Sequence, residues 1–128
     1  MSNKKKPFVL VVEDDFNSQM LMKFYLKDTY ELEFSTTVTE AIEKLKIIHP
    51  DIILLDLSLD GGEDGLDLAR YIRKEDKWKD TSVIATTAHA FTADRDNCIE
   101  AGCDDYISKP IKRSDLLELM KHQLDLSK

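Results

Sequence analysis

Short apolar runs alternate along this chain with longer stretches in which apolar residues recur at helical spacing. Two of the runs, FVLVV and IILL, are apolar at every position, which is typical of parallel strands covered by helices on both faces. A third run, ELEF, alternates apolar with polar residues and therefore predicts an edge strand. The predicted strands are Phe8–Val12, Glu31–Phe34, Ile52–Leu55, Val83–Thr86 and Tyr106–Ser108.

The stretches between the strands predict amphipathic helices, and capping residues indicate several of their ends. Thr37 and Glu40 have the spacing of a capping box at the start of the second helix, which Pro50 is expected to close. Thr92 is the predicted N-cap of a fourth helix ending at Gly102, where glycine tolerates the left-handed conformation. The predicted apolar faces comprise Met20, Leu21, Phe24 and Tyr25 in the first helix, Ala41, Ile42, Leu45 and Ile48 in the second, Leu66, Leu68, Ala69 and Ile72 in the third, and Leu116, Leu117, Met120 and Leu124 in a fifth helix over residues 113–126.

Strand and helix thus alternate five times, which predicts the α/β class with a parallel sheet and right-handed crossovers. The length of 128 residues fits one domain with one site to find. No Ser/Gly-rich linker interrupts the pattern. We expect a flexible basic N-terminus over residues 1–7 and one folded domain over residues 8–126.

Composition excludes several functional classes. No apolar run approaches the roughly 20 residues of a membrane span, and the opening MSNKKKPF lacks the apolar core of a secretion signal, so a cytoplasmic location is expected. The net charge of -7 disfavours binding to nucleic-acid phosphates. Cys98 and Cys103 lack the CxxC spacing of a zinc site, and we expect both to be small, partly buried apolar residues or helix-end residues.

Polar residues follow the predicted strands at their carboxyl ends, which is where open α/β sheets bind ligands. Clustered carboxylates raise one another's pKa unless a cation compensates, and hard oxygen ligands favour Mg²⁺. We therefore expect Asp14 and Asp56 to be direct metal ligands and Glu13 to act through water. The strand-end residues are Glu13, Asp14 and Asp15 after the first strand, Asp56 after the third, Thr87 after the fourth and Lys109 after the fifth.

These residue types also suit phosphoryl transfer. A carboxylate beside Mg²⁺ can attack phosphorus, which makes Asp56 the candidate nucleophile, and the Lys109 ammonium can hold the transferred oxygens. Thr87 can offer its hydroxyl to the new phosphoryl group. Each residue alone also has an ordinary explanation: an aspartate after a strand forms turns, a lysine is solvated, and a strand-end threonine bonds the backbone. Their joint placement favours the functional interpretation.

The segments VLVVEDD, DIILLDLSLDGGEDGLDL, VIATTA and AGCDDYISKPI together resemble the receiver domain of two-component response regulators, from about Phe8 to Leu126. The resemblance implies a flavodoxin-like (βα)5 fold with strand order 2-1-3-4-5. It also implies a signalling switch that takes a phosphoryl group from a histidine kinase or histidine phosphotransfer protein onto Asp56. The receiver would catalyse this transfer itself with Mg²⁺, for which Mn²⁺ would substitute. The sequence resembles most the receiver domains that are attached to hybrid sensor kinases.

The resemblance assigns a role to each matching position. Glu13 and Asp14 form the acidic pair and Asp56 is the phosphoacceptor. The remaining assignments are Ser58 for a metal-binding backbone carbonyl, Thr87 and Tyr106 for the switch, Ala88 for a backbone contact to phosphate, Lys109 for phosphate binding, Pro110 for a cis peptide bond, and Ser58 and His89 for control of the phosphoryl lifetime. The loop from Asp60 to Gly62 departs from the family, because Asp60 replaces the usual proline and the loop is one residue longer.

The switch would change the surface formed by the fourth helix, fifth strand and fifth helix. This surface would bind a protein target that the sequence does not identify. A phosphorylation-dependent dimer stays open, and we expect neither nucleic acid nor membrane as a partner. Three alternatives are weaker. An aspartate phosphohydrolase would need an acid where Ser58 stands, a flavin carrier would need a Ser, Thr and Gly cradle where EDDFN stands, and an inactive receiver would not retain the acidic pair, Asp56, Thr87 and Lys109.

Overall fold

The computed structural model describes residues 6–57, 65–88 and 92–126. In this part of the chain, five parallel strands form one sheet in the order β2-β1-β3-β4-β5. The predicted α/β class, the strand order and the edge position of β2 are therefore confirmed. The elements are β1 (Phe8–Val12), α1 (Phe16–Leu26), β2 (Glu31–Ser35), α2 (Val38–Leu45), β3 (Ile52–Asp56), α3 (Leu66–Arg73), a 3-10 helix (Asp76–Trp78), β4 (Ser82–Thr87), α4 (Thr92–Ala101), β5 (Asp105–Ser108) and α5 (Arg113–Leu126).

Two apolar clusters, one on each face of the sheet, account for the uninterrupted apolar runs of β1 and β3. Leu10 and Val12 point into the cluster that includes side chains of α2, α3 and α4. Val9 and Val11 point into the other cluster, which includes Met22 and Leu26 of α1 and residues of α5. Because successive strand residues face opposite sides, an all-apolar strand fills both clusters and the sheet is covered on both faces.

Capping bonds set the starts of the first two helices. The Asp15 carboxylate caps α1 by accepting a hydrogen bond from the Ser18 amide at 2.8 Å. The Thr37 hydroxyl caps α2 by accepting from the Glu40 amide at 3.0 Å, as the capping-box spacing predicted. The Glu40 carboxylate in turn accepts a 3.1 Å hydrogen bond from the Thr36 amide, one residue before the cap. Helix α2 ends at Leu45, several residues before the Pro50 that was expected to close it.

The predicted apolar face of α1 is wrong. The residues that α1 buries are Met22 and Leu26, whereas Met20, Leu21 and Phe24 are exposed. Tyr25 is half-buried, and its hydroxyl donates a 3.0 Å hydrogen bond to the Ile111 carbonyl beyond β5. Apolar residues occupy so much of this helix that periodicity defines more than one apolar stripe. Packing against the sheet selects one stripe and leaves the other in solvent.

The lower edge of the sheet, at the amino ends of the strands, is held by Arg73 of α3. Its guanidinium donates hydrogen bonds to the carbonyls of Gly102, Trp78 and Thr81, and it pairs with the Asp104 carboxylate at 2.6 Å. Gly102 has a φ of 116°, the left-handed geometry predicted for the end of α4. Cys98 and Cys103 are free thiols and both are buried, more completely than the sequence suggested.

Candidate functional site

The pairing of β1 with β3 brings the acidic residues together at the carboxyl edge of the sheet. Val12 is the register partner of Leu55, so Glu13 and Asp14 leave β1 beside Asp56 at the end of β3. One carboxylate oxygen from each of these three residues lies within 4.8 Å of the others. Asp56 is only 3% exposed and Glu13 only 4%. The sheet thus concentrates three carboxylates in a recess in which Glu13 and Asp56 are buried and Asp14 is half-buried.

Lys109 supplies the positive charge of this recess. Its Nζ lies 3.4 Å from Asp56 Oδ1 and 3.5 Å from Glu13 Oε1. The Lys109 amide donates a 2.7 Å hydrogen bond to the Thr87 carbonyl, and the Lys109–Pro110 peptide bond is cis. One ammonium group therefore contacts two of the three clustered carboxyl groups.

Burial raises the pKa of the Glu13 carboxyl to about 7, with further increases from a hydrogen bond to Asp56 and from the Asp56 charge. The Asp15 amide, which donates to Glu13 Oε2 at 3.1 Å, and the Lys109 ammonium oppose this shift. The backbone around Glu13 is fixed as well, because the Gln19 side-chain amide donates to the Glu13 carbonyl at 2.5 Å. One lysine does not fully compensate two adjacent buried carboxylates.

This donor set fits a divalent metal. Three carboxylate oxygens from two neighbouring strands are hard ligands of the kind that Mg²⁺ prefers, and Mg²⁺ keeps several waters that would complete its coordination. Burial, a hydrogen bond to Asp56 and the Asp56 charge raise the pKa of Glu13, and a bound divalent cation would favour the ionised carboxylate instead. Glu13, Asp14 and Asp56 are the residues that would hold the ion.

Thr87 and Tyr106 lie on the same face of the sheet. In the parallel pairing of β4 with β5, Ala85 is the partner of Tyr106 and Thr87 is the partner of Ser108. Side chains two residues apart on a strand share a face, so the Thr87 hydroxyl and the Tyr106 ring are diagonal neighbours beside α4. Thr87 is buried, whereas Tyr106 is half-buried. The structure therefore places the two predicted switch residues on one face of two neighbouring strands.

The predicted residues Ser58 and His89 and the Asp60–Gly62 loop lie outside the described residues. Ala88 is described and exposed, directly after Thr87. Gly65 also lies close to the site, which the apolar pattern of the sequence did not predict. A Cβ at this position would lie 2.8 Å from the Asp56 carbonyl oxygen. The only signal in the sequence is a glycine at the predicted start of the third helix.

A cavity of about 230 Å³ opens beside the recess, between α1 and the chain that follows β5. Leu21, Met22 and Tyr25 form its α1 wall, and Pro110 and Ile111 form the opposite wall. Glu13 and Lys109 line both this cavity and the acidic recess. The exposed apolar side of α1 is thus continuous with the site.

The strand order and this edge define a doubly wound α/β domain with an acidic, lysine-containing pocket. The family model described as the response regulator receiver domain matches residues 9–121. The chain belongs to this family, the receiver domains of two-component signalling. In the described part of the chain, no helix combines the length and apolar character needed to cross a membrane.

Curated relatives include stand-alone and hybrid proteins. The polar-differentiation response regulator DivK of Brucella ovis is 31% identical over 117 residues, covering 91% of this chain and 94% of that protein. Hybrid signal transduction histidine kinase L of Dictyostelium discoideum is 36% identical over 120 residues, covering 88% of this chain but only 7% of that protein. Receivers of this sequence type therefore occur in both settings.

Solved structures agree with the fold. The receiver domain of sensor histidine kinase PA1611 from Pseudomonas aeruginosa PAO1 has a TM-score of 0.84 and 30% identity, covering 94% of this chain and 98% of that one; it was solved with a magnesium ion coordinated in its active site cleft. A CheY-like receiver domain from Methanospirillum hungatei JF-1 has a TM-score of 0.86 and 28% identity, covering 96% and 97% of the two chains. The fold of this chain is that of a CheY-like receiver.

Proposed function

We propose that this protein is a phosphoacceptor switch in which Asp56 receives a phosphoryl group from a histidine kinase or histidine phosphotransfer protein. The observation that carries the proposal is the meeting of Asp56, Glu13 and Asp14 within 4.8 Å, with the Lys109 ammonium 3.4 Å from Asp56. A cluster of this kind has a nucleophile, ligands for a metal and a cation for the transferred oxygens. Membership of the receiver family supports the same assignment.

In the proposed reaction, an ionised Asp56 oxygen attacks the phosphorus of a phosphohistidine. The new P–O bond to Asp56 forms as the P–N bond breaks, and the electron pair of that bond returns to the donor imidazole. Lys109 turns from the carboxylates toward the transferred phosphoryl oxygens. A bound Mg²⁺ would neutralise the carboxylates and the charge that develops on these oxygens. Glu13, Asp14 and Asp56 are the residues that would hold that ion.

Phosphorylation of Asp56 would then reposition Thr87 and Tyr106. The phosphoryl group adds nearly two negative charges, and the Thr87 hydroxyl is a donor at the adjoining strand end. Reversing a 1:99 equilibrium takes about 5.5 kcal/mol, whereas one hydrogen bond supplies about 1 kcal/mol. Lys109, Thr87, the metal and backbone donors such as Ala88 must therefore act together. The output surface is the α4, β5 and α5 face, next to Tyr106.

The phosphoryl donor docks on the exposed side of α1. Asp56 is 3% exposed, so a donor histidine reaches it only if the donor protein also contacts the rim of the recess. Phe16 and Phe24 of α1, the helix that forms this rim, are 69% and 66% exposed. Leu21 of the same helix lines the cavity beside the recess. An exposed apolar surface of this kind marks a protein interface. A donor with an apolar surface around its histidine is the partner that fits.

Incubation with Mg²⁺ and acetyl phosphate, followed by intact mass measurement, tests the central claim. We expect the wild type to gain the mass of one phosphoryl group, EDTA to abolish the gain and Asp56→Asn to remove it. Asp51→Asn is a matched control, because Asp51 precedes the same strand at its far end. An unphosphorylated wild type, or an equal gain in Asp56→Asn, contradicts the proposal.

A further inference from the structure

A positively charged residue of α4 lies over the ring of Tyr106. The Arg95 guanidinium carbon is 6.0 Å from the centre of the Tyr106 ring. Arg95 is exposed and Tyr106 is half-buried. A guanidinium at this distance from an aromatic ring is attracted by its electron-rich face. The contact joins α4 directly to β5.

The sequence around Arg95 favours this contact over an ion pair within the helix. Helical partners stand three or four residues away, and for Arg95 these positions hold Phe91, Thr92, Cys98 and Ile99. None of them is a carboxylate. In contrast, Arg70 of α3 pairs with Asp67 three residues earlier, at 2.8 Å. Arg95 therefore has no acidic residue three or four positions away with which it could form an ion pair within the helix. This leaves its guanidinium available to contact the Tyr106 ring.

The residue beside Tyr106 on the neighbouring strand β4 has a small side chain. The register partner of Tyr106 is Ala85, the smallest of the side chains near the end of β4, and Thr87 follows on the same face. In the proposed switch, the Tyr106 ring turns inward toward Thr87 when Asp56 is phosphorylated, and this movement would take the ring away from the exposed Arg95 guanidinium. The contact with Arg95 thus stabilises the outward ring only, and an interaction made in one of two states shifts their equilibrium.

We propose that Arg95 is a positioning residue that stabilises the outward position of Tyr106. It thereby sets the equilibrium between the inactive and the activated state of the switch. The inference rests on the proposed function, since it concerns the switch that phosphorylation of Asp56 would drive. A cation–π contact at an exposed site changes an equilibrium constant by a factor of about two to five. Loss of the contact raises the inward population by that factor and lowers the cost of activation equally.

Fluorine NMR of protein labelled with 3-fluorotyrosine tests this inference. The chain has four tyrosines, and Tyr106→Phe assigns the signal of interest. Magnesium with beryllofluoride, a phosphoryl analogue, defines the activated position of that signal. We expect Arg95→Met to move the Tyr106 signal of the unmodified protein toward the activated position and to tighten beryllofluoride binding about two- to five-fold. Arg95→Lys should lie between the wild type and Arg95→Met.

Arg70→Met is the matched control, because it removes an exposed, ion-paired arginine from α3 and should leave both measurements unchanged. If Asp56 is phosphorylated but Arg95→Met gives the wild-type signal and the wild-type beryllofluoride affinity, the role of Arg95 is overturned and the proposed function stands. If the wild type gains no phosphoryl mass, the proposed function is overturned, and this inference with it.

Discussion

The backbone amide of Lys109 donates a 2.7 Å hydrogen bond to the carbonyl oxygen of Thr87. This bond joins the start of the segment after β5 to the end of β4, so Lys109 and Thr87 are linked through their main chains. The Lys109 side chain then reaches back to Asp56 and Glu13. Displacement of either Lys109 or Thr87 is therefore transmitted to the other through one short backbone contact.

Magnesium should stabilise the wild type, and Asp14→Asn should weaken that effect. A ligand that binds only the folded state stabilises it by about 2.7 kcal/mol at one hundred times its Kd, and Asp14 supplies one of the three clustered oxygens. We expect Mg²⁺ at millimolar concentration to raise Tm by several degrees and Asp14→Asn to reduce the increase by at least half. Differential scanning fluorimetry with EDTA and with Mg²⁺ gives both values.

Asp15→Asn is the control for neighbouring charge. Asp15 caps α1, and asparagine is an equally good N-cap, so this variant loses the same charge without losing a proposed ligand. Its response to Mg²⁺ should match that of the wild type. Equal responses in all three proteins would show that the carboxylates of the recess do not form the metal site.

The sequence predicted the strands and the edge of the sheet at which the candidate site lies, for a physical reason. Apolar runs such as those of β1 and β3 have few alternatives to a doubly covered parallel strand. Once the strands are parallel, the residues that follow them, such as Asp56 and Lys109, lie at the same edge of the sheet. The pairing of Lys109 with both Asp56 and Glu13 is a finer result, because it depends on the course of the chain after β5.

Other features required the folded structure. The orientation of α1 depends on which apolar stripe packs better against the sheet, and the Tyr25 bond to Ile111 that accompanies it spans distant parts of the chain. The contact of Gly65 with Asp56 and that of Arg95 with Tyr106 likewise depend on how helices lie against strands. Local pattern carries no information about such distances.

The stability of the metal-free protein should fall as pH rises through about 7 because of Glu13. Its pKa is raised in the folded state to about 7 from 4.5, so between these values the folded protein keeps a proton that the unfolded chain has lost. Folding is then favoured at the lower pH, and this contribution disappears above the folded pKa. In EDTA, we expect the Tm of the wild type relative to Glu13→Gln to decrease between pH 5 and pH 8.

Subtracting the Tm of Glu13→Gln from that of the wild type at each pH cancels the contribution of every titrating group that the two proteins share. A difference in Tm that stays constant from pH 5 to pH 8 would mean that the Glu13 carboxyl titrates as it does in the unfolded chain. The burial of Glu13 and its hydrogen bond to Asp56 would then have no net effect on its protonation.

Truncation of the exposed aromatic residues of α1 should slow transfer from a protein donor but not from a small one. Removing an aromatic residue at the centre of an interface costs about 2 kcal/mol or more. We expect Phe24→Ser to reduce the rate from a phosphorylated histidine phosphotransfer protein at least about ten-fold, with no change in the rate from acetyl phosphate. Ile47 is an exposed apolar residue outside α1 and is 85% exposed. Ile47→Ser should alter neither rate. Equal losses with both donors would indicate damage to the recess instead.

Gly65→Ala should damage both the stability and the chemistry of the site. The added Cβ would lie 2.8 Å from the Asp56 carbonyl oxygen and 3.4 Å from the Leu57 Cα. Both are backbone atoms, so α3 or the end of β3 must shift. Overpacking of this kind costs about 1–3 kcal/mol, and a misplacement of the nucleophile by about 1 Å can slow a reaction about one hundred-fold. We expect a lower Tm and a phosphorylation rate with acetyl phosphate reduced at least about ten-fold.

Gly102→Ala separates these two effects. Gly102 has a φ of 116°, and a Cβ there would lie 2.4 Å from Arg73 Cγ, so alanine is strained at this position as well. Gly102 precedes β5, at the edge of the sheet opposite to Asp56 and Lys109. Gly102→Ala should therefore lower Tm without slowing phosphorylation at a temperature where it remains folded. If both glycine variants slow phosphorylation in proportion to their loss of Tm, the effect of Gly65 arises from global stability and not from the position of Asp56.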